Sequence, residues 1–198
     1  MSATEGRRGS AERTTKETAV WVSIGLDGPG GANVDTGIPF FDHMLSQLGT
    51  HAGFDLEIRA RGDLEVDAHH TVEDVGIALG HAFAEALGGK TGIRRFASIT
   101  VPLDEALVDV ALDLSGRAFV VHEVPVPAEA IGTYDPGLTE DFVRAFATEA
   151  AITVHVILRS GRSPHHIVEA EFKVLAKALG DATRVVGGSE APSTKGAL

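Results

Sequence analysis

Two short segments of this chain carry the same donor set, His69-His70-Thr71-Val72-Glu73 and His165-His166-Ile167-Val168-Glu169. In a helix the second histidine and the glutamate stand at i and i+3, and the first histidine and the glutamate at i and i+4. All three are therefore expected to face one way. Imidazole nitrogen and carboxylate oxygen on one face make a ligand set for a divalent metal. A single copy is as readily explained by the preference of helix N-termini for acidic residues and by paired surface histidines. Two copies at matching places favour ligation and predict two metal sites.

Three ligands rarely complete an octahedral shell, so a further donor is needed. His43, in Pro39-Phe40-Phe41-Asp42-His43-Met44, is the first candidate, with a core histidine as the competing reading. Cations fall in small groups: Arg94-Arg95, Arg117 in Ser115-Gly116-Arg117, Lys173, Lys177 and Lys195. Lys173 lies four residues beyond Glu169, on the face that would carry the metal, where it either meets a phosphate or pairs with Glu169. His51 sits where a helix hands over to a strand, within expected reach of substrate. His81 reads as helix surface, and His122 and His155 carry no specific signal.

The elements that must position these residues show in the hydropathy pattern. Thr18 to Ile24 alternates as a strand and meets a turn at Asp27-Gly28-Pro29-Gly30-Gly31. A helix is expected from Phe40 to Leu48, a strand from Phe54 to Ala60, and a second helix from Val72 to Leu87, stopped by Gly88-Gly89. The order then repeats. Asp42-His43-Met44-Leu45 through Ile58 aligns with Glu140-Asp141-Phe142-Val143 through Val156 at a shift of 98, and the HHxxE segments align at a shift of 96. Strand Leu107 to Leu114 before Ser115-Gly116 echoes Val20 to Leu26 before Asp27-Gly28. An internal duplication follows. It places Asp141 opposite His43, so that either this carboxylate or water serves the second site.

The expected fold class is α+β, internally duplicated, each half a small antiparallel or mixed sheet with two helices packed on one face. The expected organisation is a flexible arm over residues 1–12, a first repeat over 13–100, a second over 101–186 and a tail over 187–198. The tail reads as disordered on composition alone.

Composition narrows the chemistry. The chain has no cysteine, so thiolate ligands, disulfides and zinc-finger readings are excluded. Mn, Fe, Co, Ni or Zn remain open, and six-coordinate Mn²⁺ suits a mixed nitrogen and oxygen shell. A formal net charge of -11 argues against a nucleic-acid surface but leaves room for a small anion met by local Arg and Lys. Apolar runs stay well short of the roughly 18 residues that span a bilayer, and the N-terminus lacks a hydrophobic stretch. No membrane partner and a cytoplasmic location are expected.

The motifs together resemble the imidazoleglycerol-phosphate dehydratase family of histidine biosynthesis. The resemblance is carried by Arg13-Thr14-Thr15-Lys16-Glu17-Thr18, Phe41-Asp42-His43-Met44-Leu45, Asp67-Ala68-His69-His70-Thr71-Val72-Glu73-Asp74 and Gly92-Ile93-Arg94-Arg95-Phe96. It continues through Pro102-Leu103-Asp104-Glu105-Ala106-Leu107, Asp113-Leu114-Ser115-Gly116-Arg117, Ser163-Pro164-His165-His166-Ile167-Val168-Glu169-Ala170 and Pro192-Ser193-Thr194-Lys195-Gly196. The resemblance implies a hydro-lyase that removes water from D-erythro-imidazole-glycerol phosphate to give imidazole-acetol phosphate. It further implies trimers assembled into a 24-subunit cage, with two Mn²⁺ ions in each active site at subunit interfaces.

The implied metal ligands are His43, His69, His70, Glu73, His165, His166 and Glu169. The implied substrate contacts are Glu17, Gln47, His51, Arg95, Arg117, Lys173, Ser193 and Lys195, with Glu17, Glu73 and Glu169 in the proton chemistry. On this reading the tail joins the phosphate site. One departure stands out: the family usually has a histidine ligand where this chain has Asp141, leaving Asp141 or water to substitute. A dinuclear metallohydrolase acting on a small phosphoester would use similar ligands. A metal-storage cage is the non-enzymatic rival, but such cages draw Glu-x-x-His ligands from a four-helix bundle, and the strands here weigh against it.

Overall fold

The computed structural model describes residues 6–188 and 190–194. The first half runs β1 (Arg8–Thr14), β2 (Thr18–Gly25), β3 (Gly31–Asp35), α1 (Pro39–Ala52), β4 (Asp55–Gly62) and α2 (His69–Leu87). The second runs β5 (Phe96–Leu103), β6 (Ala106–Asp113), β7 (Phe119–Glu123), α3 (Leu138–Glu149), β8 (Thr153–Ser160) and α4 (Pro164–Thr183). Each half forms its own mixed sheet, ordered β1-β2-β4-β3 and β5-β6-β8-β7, and in each the third and fourth strands pair in parallel across a helix. The duplicated α+β fold expected from the repeat is therefore present.

Each sheet buries one face. Val20, Val22 and Ile24 of β2 and Leu56, Ile58 and Ala60 of β4 point inward, as do Val108, Val110 and Leu112 of β6 and Val154 and Val156 of β8. That alternation of period two is what a half-covered sheet requires. The covering helices then pack across the repeats, α2 against α3 and α1 against α4. Phe41, Phe142 and Phe172 join these layers, with ring centroids 5.4 Å apart for Phe41–Phe142 and 5.2 Å for Phe142–Phe172. The α2–α3 seam is close because α2 carries Gly76 and Gly80. A Cβ on Gly80 would stand 2.7 Å from Phe146 O and 2.7 Å from Glu149 Cβ.

Three expectations about organisation need correction. From Arg8 the supposed flexible arm is strand β1, paired in full register with β2 from Arg8↔Gly25 to Thr14↔Ala19. Its small polar residues hid this, yet Gly9 lies buried against the backbone of α2 and Ser10 N donates to Glu85 Oε2 at 2.7 Å. The boundary placed after residue 100 falls inside β5, which pairs only in the second sheet, so the halves meet in the loop after α2. The tail, where described, folds back on that loop: just beyond the Ile93–Val185 bridge, Gly92 N donates to Glu190 O at 3.1 Å.

Candidate metal centre

Helix α4 opens at Ser163, whose hydroxyl accepts from His166 N, with Pro164 at the first helical position where its missing N–H costs nothing. One turn on, His165 Nε2 lies 3.0 Å from Glu169 Oε2, while Lys173 Nζ donates to Glu169 Oε1 at 2.7 Å. The α1–α4 packing brings His43 Nε2 to 3.8 Å from the same Glu169 Oε2, with Gln47 Nε2 3.5 Å from His43 Nε2. Phe40 meets the His165 ring edge-on at 5.1 Å. Burial pushes the Glu169 carboxyl up, but Lys173, His165 and His43 outweigh it and hold the group below its ordinary range. Of the two readings for Lys173, pairing with Glu169 is the arrangement within one chain.

The related cluster forms where α2 meets α3. His69 Nδ1 lies 3.5 Å from Asp141 Oδ2, and Glu73 stands exposed one turn along from His69. The duplication thus reappears in space: His43 beside His165 and Glu169, and Asp141 beside His69. Each cluster joins a helix of one repeat to a helix of the other, which the alignment of the halves did not foretell.

The expectation that all three residues of each motif face one way is corrected. Adjacent residues on a helix diverge by about 100°, and the structure uses that angle. His166 turns to the β5–β6 turn, where its Nδ1 lies 2.7 Å from Glu105 Oε2 and its Nε2 3.7 Å from Asp104 Oδ2. His70 turns to the end of β4, with Nδ1 3.1 and 3.2 Å from the two Asp63 oxygens and 4.0 Å from Glu17 Oε2. The backbone N–H of Ser163, then His166, hold the Glu105 carboxyl down at about 2. Asp63 was not singled out in the sequence and Glu105 stood there only within a family motif, without a role, because their partners lie in elements that only folding brings near.

Of the cationic candidates, Lys173 belongs to the His165–Glu169 cluster, whereas Arg95 makes its contacts elsewhere. Arg95 is held by Asp113 at 2.7 and 3.1 Å, donates to the tail at Pro192 O at 2.7 Å, and sits over the Phe96 ring at 4.4 Å. Leu114 N donates to Arg95 O, which puts the Ser115-Gly116-Arg117 turn next door, and Ser193 follows Pro192. Arg95, the turn that carries Arg117 and the segment that carries Ser193 are thus linked through these contacts, while Lys195 lies outside the described residues. His51, in the last turn of α1, is pushed down by burial and then by Lys173 and Lys177. His81 is exposed and pairs with Glu149, as a surface histidine would.

A second unforeseen feature is the buried pair His122–Glu171, joined at 2.8 Å, with Glu140 Oε2 3.6 Å from His122 Nδ1. Glu171 Oε2 is buried without a hydrogen-bond partner among the described residues.

Imidazole and carboxylate donors without thiolates fit a divalent ion of the Mn to Zn range. Among the described residues, however, no group of three or more His, Asp or Glu is gathered to hold an ion within one chain. The donors instead form incomplete sets at several places.

Comparison with known proteins bears on what those sets are. The family model described as imidazoleglycerol-phosphate dehydratase matches residues 36–179. The imidazoleglycerol-phosphate dehydratase of Acidothermus cellulolyticus is 56% identical over 192 residues, covering 97% of this chain and 93% of that protein. The crystal structure of the Pyrococcus furiosus enzyme superposes with a TM-score of 0.81 at 36% identity, covering 94% of this chain and 99% of that one. That of the Staphylococcus aureus enzyme gives 0.80 at 35% identity, covering 88% and 97%.

Proposed function

This chain belongs to the imidazoleglycerol-phosphate dehydratase family, and from that premise we propose that it is a Mn²⁺-dependent hydro-lyase of histidine biosynthesis. Its substrate on this reading is D-erythro-imidazole-glycerol phosphate and its product imidazole-acetol phosphate. The observation that carries the metal-dependent reading is the pair of incomplete nitrogen and oxygen donor sets, related by the duplication and each left open in a single chain. His43, His165 and Glu169 would contribute to one ion and His69, Glu73 and Asp141 to another. His70 and His166, turned away from both sets, would reach ions at neighbouring subunits. That requirement supports assembly into a closed homo-oligomer, a 24-subunit cage by analogy, with active sites at the interfaces.

The hydrogen to be removed is not next to a carbonyl, so an enolate route is closed and the imidazole ring must supply the electron push. A bound divalent cation supplies the means, because it acidifies a coordinated N–H as it acidifies water. The chain's own residues do the rest. Glu17, exposed beside His70 at 4.0 Å, takes the carbon-bound proton. Glu73 or Glu169, ionised beforehand, would relay that proton to the departing hydroxyl, which leaves as water, and the enol so formed tautomerises to the ketone. Gln47 and His51 orient the substrate near His43 and Lys173. Arg95, Arg117, Ser193 and Lys195 hold the phosphate together with Lys173, so that remote binding energy aligns the reacting carbons. Tail residues brought to Arg95 through Pro192 O would close over that phosphate.

Turnover of imidazole-glycerol phosphate with added Mn²⁺, set against generic phosphoesters, tests the reading. Dehydration abolished by chelation and restored by Mn²⁺ is the expected result. Full turnover by metal-free protein, or release of inorganic phosphate in place of dehydration, would overturn it.

A further inference from the structure

The two histidines that turn away from the metal-facing clusters are held in the same manner by unrelated parts of the chain. His166 Nδ1 faces Glu105 in the β5–β6 turn, and His70 Nδ1 faces Asp63 just after β4. The duplication does not account for this, since a turn between the first two strands of one half and a loop after the fourth strand of the other are not equivalent places. Two different routes arrive at one arrangement, a carboxylate on Nδ1 of the second motif histidine.

An ionised carboxylate can only accept, so each Nδ1 must be the donor. On the neutral ring the remaining lone pair then belongs to Nε2. For His166 that nitrogen lies on the side of Asp104 Oδ2, at 3.7 Å, a largely exposed carboxylate. Glu105 itself is firmly placed: its Oε1 accepts from Ser163 N at 2.8 Å and Arg162 N at 3.2 Å, which aims Oε2 at the ring.

We propose that Glu105 and Asp63 are positioning residues that fix His166 and His70 as the Nδ1-protonated tautomer and present Nε2 to a metal ion. The inference rests on the metal-dependent reading above and deepens it. Carboxylates in this relation to a ligating histidine set ring orientation and basicity, and their loss costs about 10- to 100-fold in metal affinity.

Glu105→Gln is the informative change. The two backbone N–H donors of residues 162 and 163 require an oxygen facing them, so the new amide would turn its NH₂ to His166 Nδ1. That donor demands the lone pair at Nδ1, moves the ring proton to Nε2 and blocks ligation there. At Asp63 the side chain accepts from His70 with no backbone donor among the described residues to orient it, so Asp63→Asn can still offer its oxygen and should weaken binding less.

The experiment titrates Mn²⁺ into the metal-free full-length chain against a competing chelator, with the melting midpoint of each metal-free variant alongside. The expected result is about 10- to 100-fold weaker Mn²⁺ binding for Glu105→Gln, a smaller loss for Asp63→Asn, and metal-free melting close to the parent for both. Parent-like Mn²⁺ affinity in a folded Glu105→Gln chain would overturn the inference and leave the function standing. Should Glu105→Gln fail to fold, parent-like affinity in Asp63→Leu, whose side chain cannot accept from His70, would overturn it as well. A parent chain that binds no Mn²⁺ would overturn the metal-dependent function itself.

Discussion

Gly80→Ala should strain the seam between α2 and α3 on which the His69–Asp141 pair depends. The added Cβ would stand 2.7 Å from Phe146 O, 2.7 Å from Glu149 Cβ and 3.0 Å from Ala150 N. Ordinary contact begins at 3.4 Å, so α3 would have to retreat by up to 0.7 Å (3.4 − 2.7). Overpacking of this kind costs about 1–3 kcal/mol. Replacing glycine inside a helix returns about 1 kcal/mol through propensity. Two of the three obstacles are backbone atoms, which move only with the whole helix, so the cost belongs in the upper part of its range. A net loss of about 1–2 kcal/mol follows, a fall of about 2–8 °C in melting midpoint for a chain of this length. Gly76→Ala, which meets Ala145 Cβ at 2.9 Å and Phe142 O at 3.0 Å, should cost less. Calorimetry in excess chelator reads folding without metal linkage, and the same variants should then retain Mn²⁺ less well. An unchanged or raised midpoint for Gly80→Ala would show that the seam has slack and refute the close-approach argument.

Three other outcomes are expected. The His122 ring, pushed down by burial but pulled up more strongly by Glu171 and Glu140, has a raised folded pKa. Its contribution to stability is therefore fully present below the ordinary histidine value and lost as pH rises through the raised one; pH-dependent melting should lose that slope in His122→Gln, and an identical slope would count against the pair. Asp141→His should retain metal more firmly under chelator challenge and shift preference toward nitrogen-seeking ions, whereas Asp141→Ala should lower metal content; full occupancy in Asp141→Ala would remove Asp141 from the ligand set. Glu17→Gln should bind substrate while kcat falls by about 10²- to 10⁴-fold, and near-parent turnover would take Glu17 out of the proton transfer.

Much of the fold was legible in local pattern. Alternation through Val20, Val22 and Ile24, helical spacing from Val72 to Leu87 and the recurrence of HHxxE each report one segment's own burial, and the halves aligned because duplicated elements keep their periodicity. Strand β1 was not legible, since Gly9 and Ser10 are stabilised by contacts to α2 rather than by apolar character of their own. The same distinction governs the site. Residue types and spacing were sufficient to nominate His43, Asp141 and both motifs as donors, and to exclude thiolate chemistry, because those properties belong to the chain whatever its shape.

Which donor meets which was decided only by tertiary structure. Packing α1 on α4 and α2 on α3 crossed the repeats, so His43 stands beside the second motif and Asp141 beside the first. The helical angle between neighbours then sent His70 and His166 to Asp63 and Glu105. Sequence spacing measures distance along one helix, whereas these pairings depend on distances between helices and turns, which close only when the core is buried.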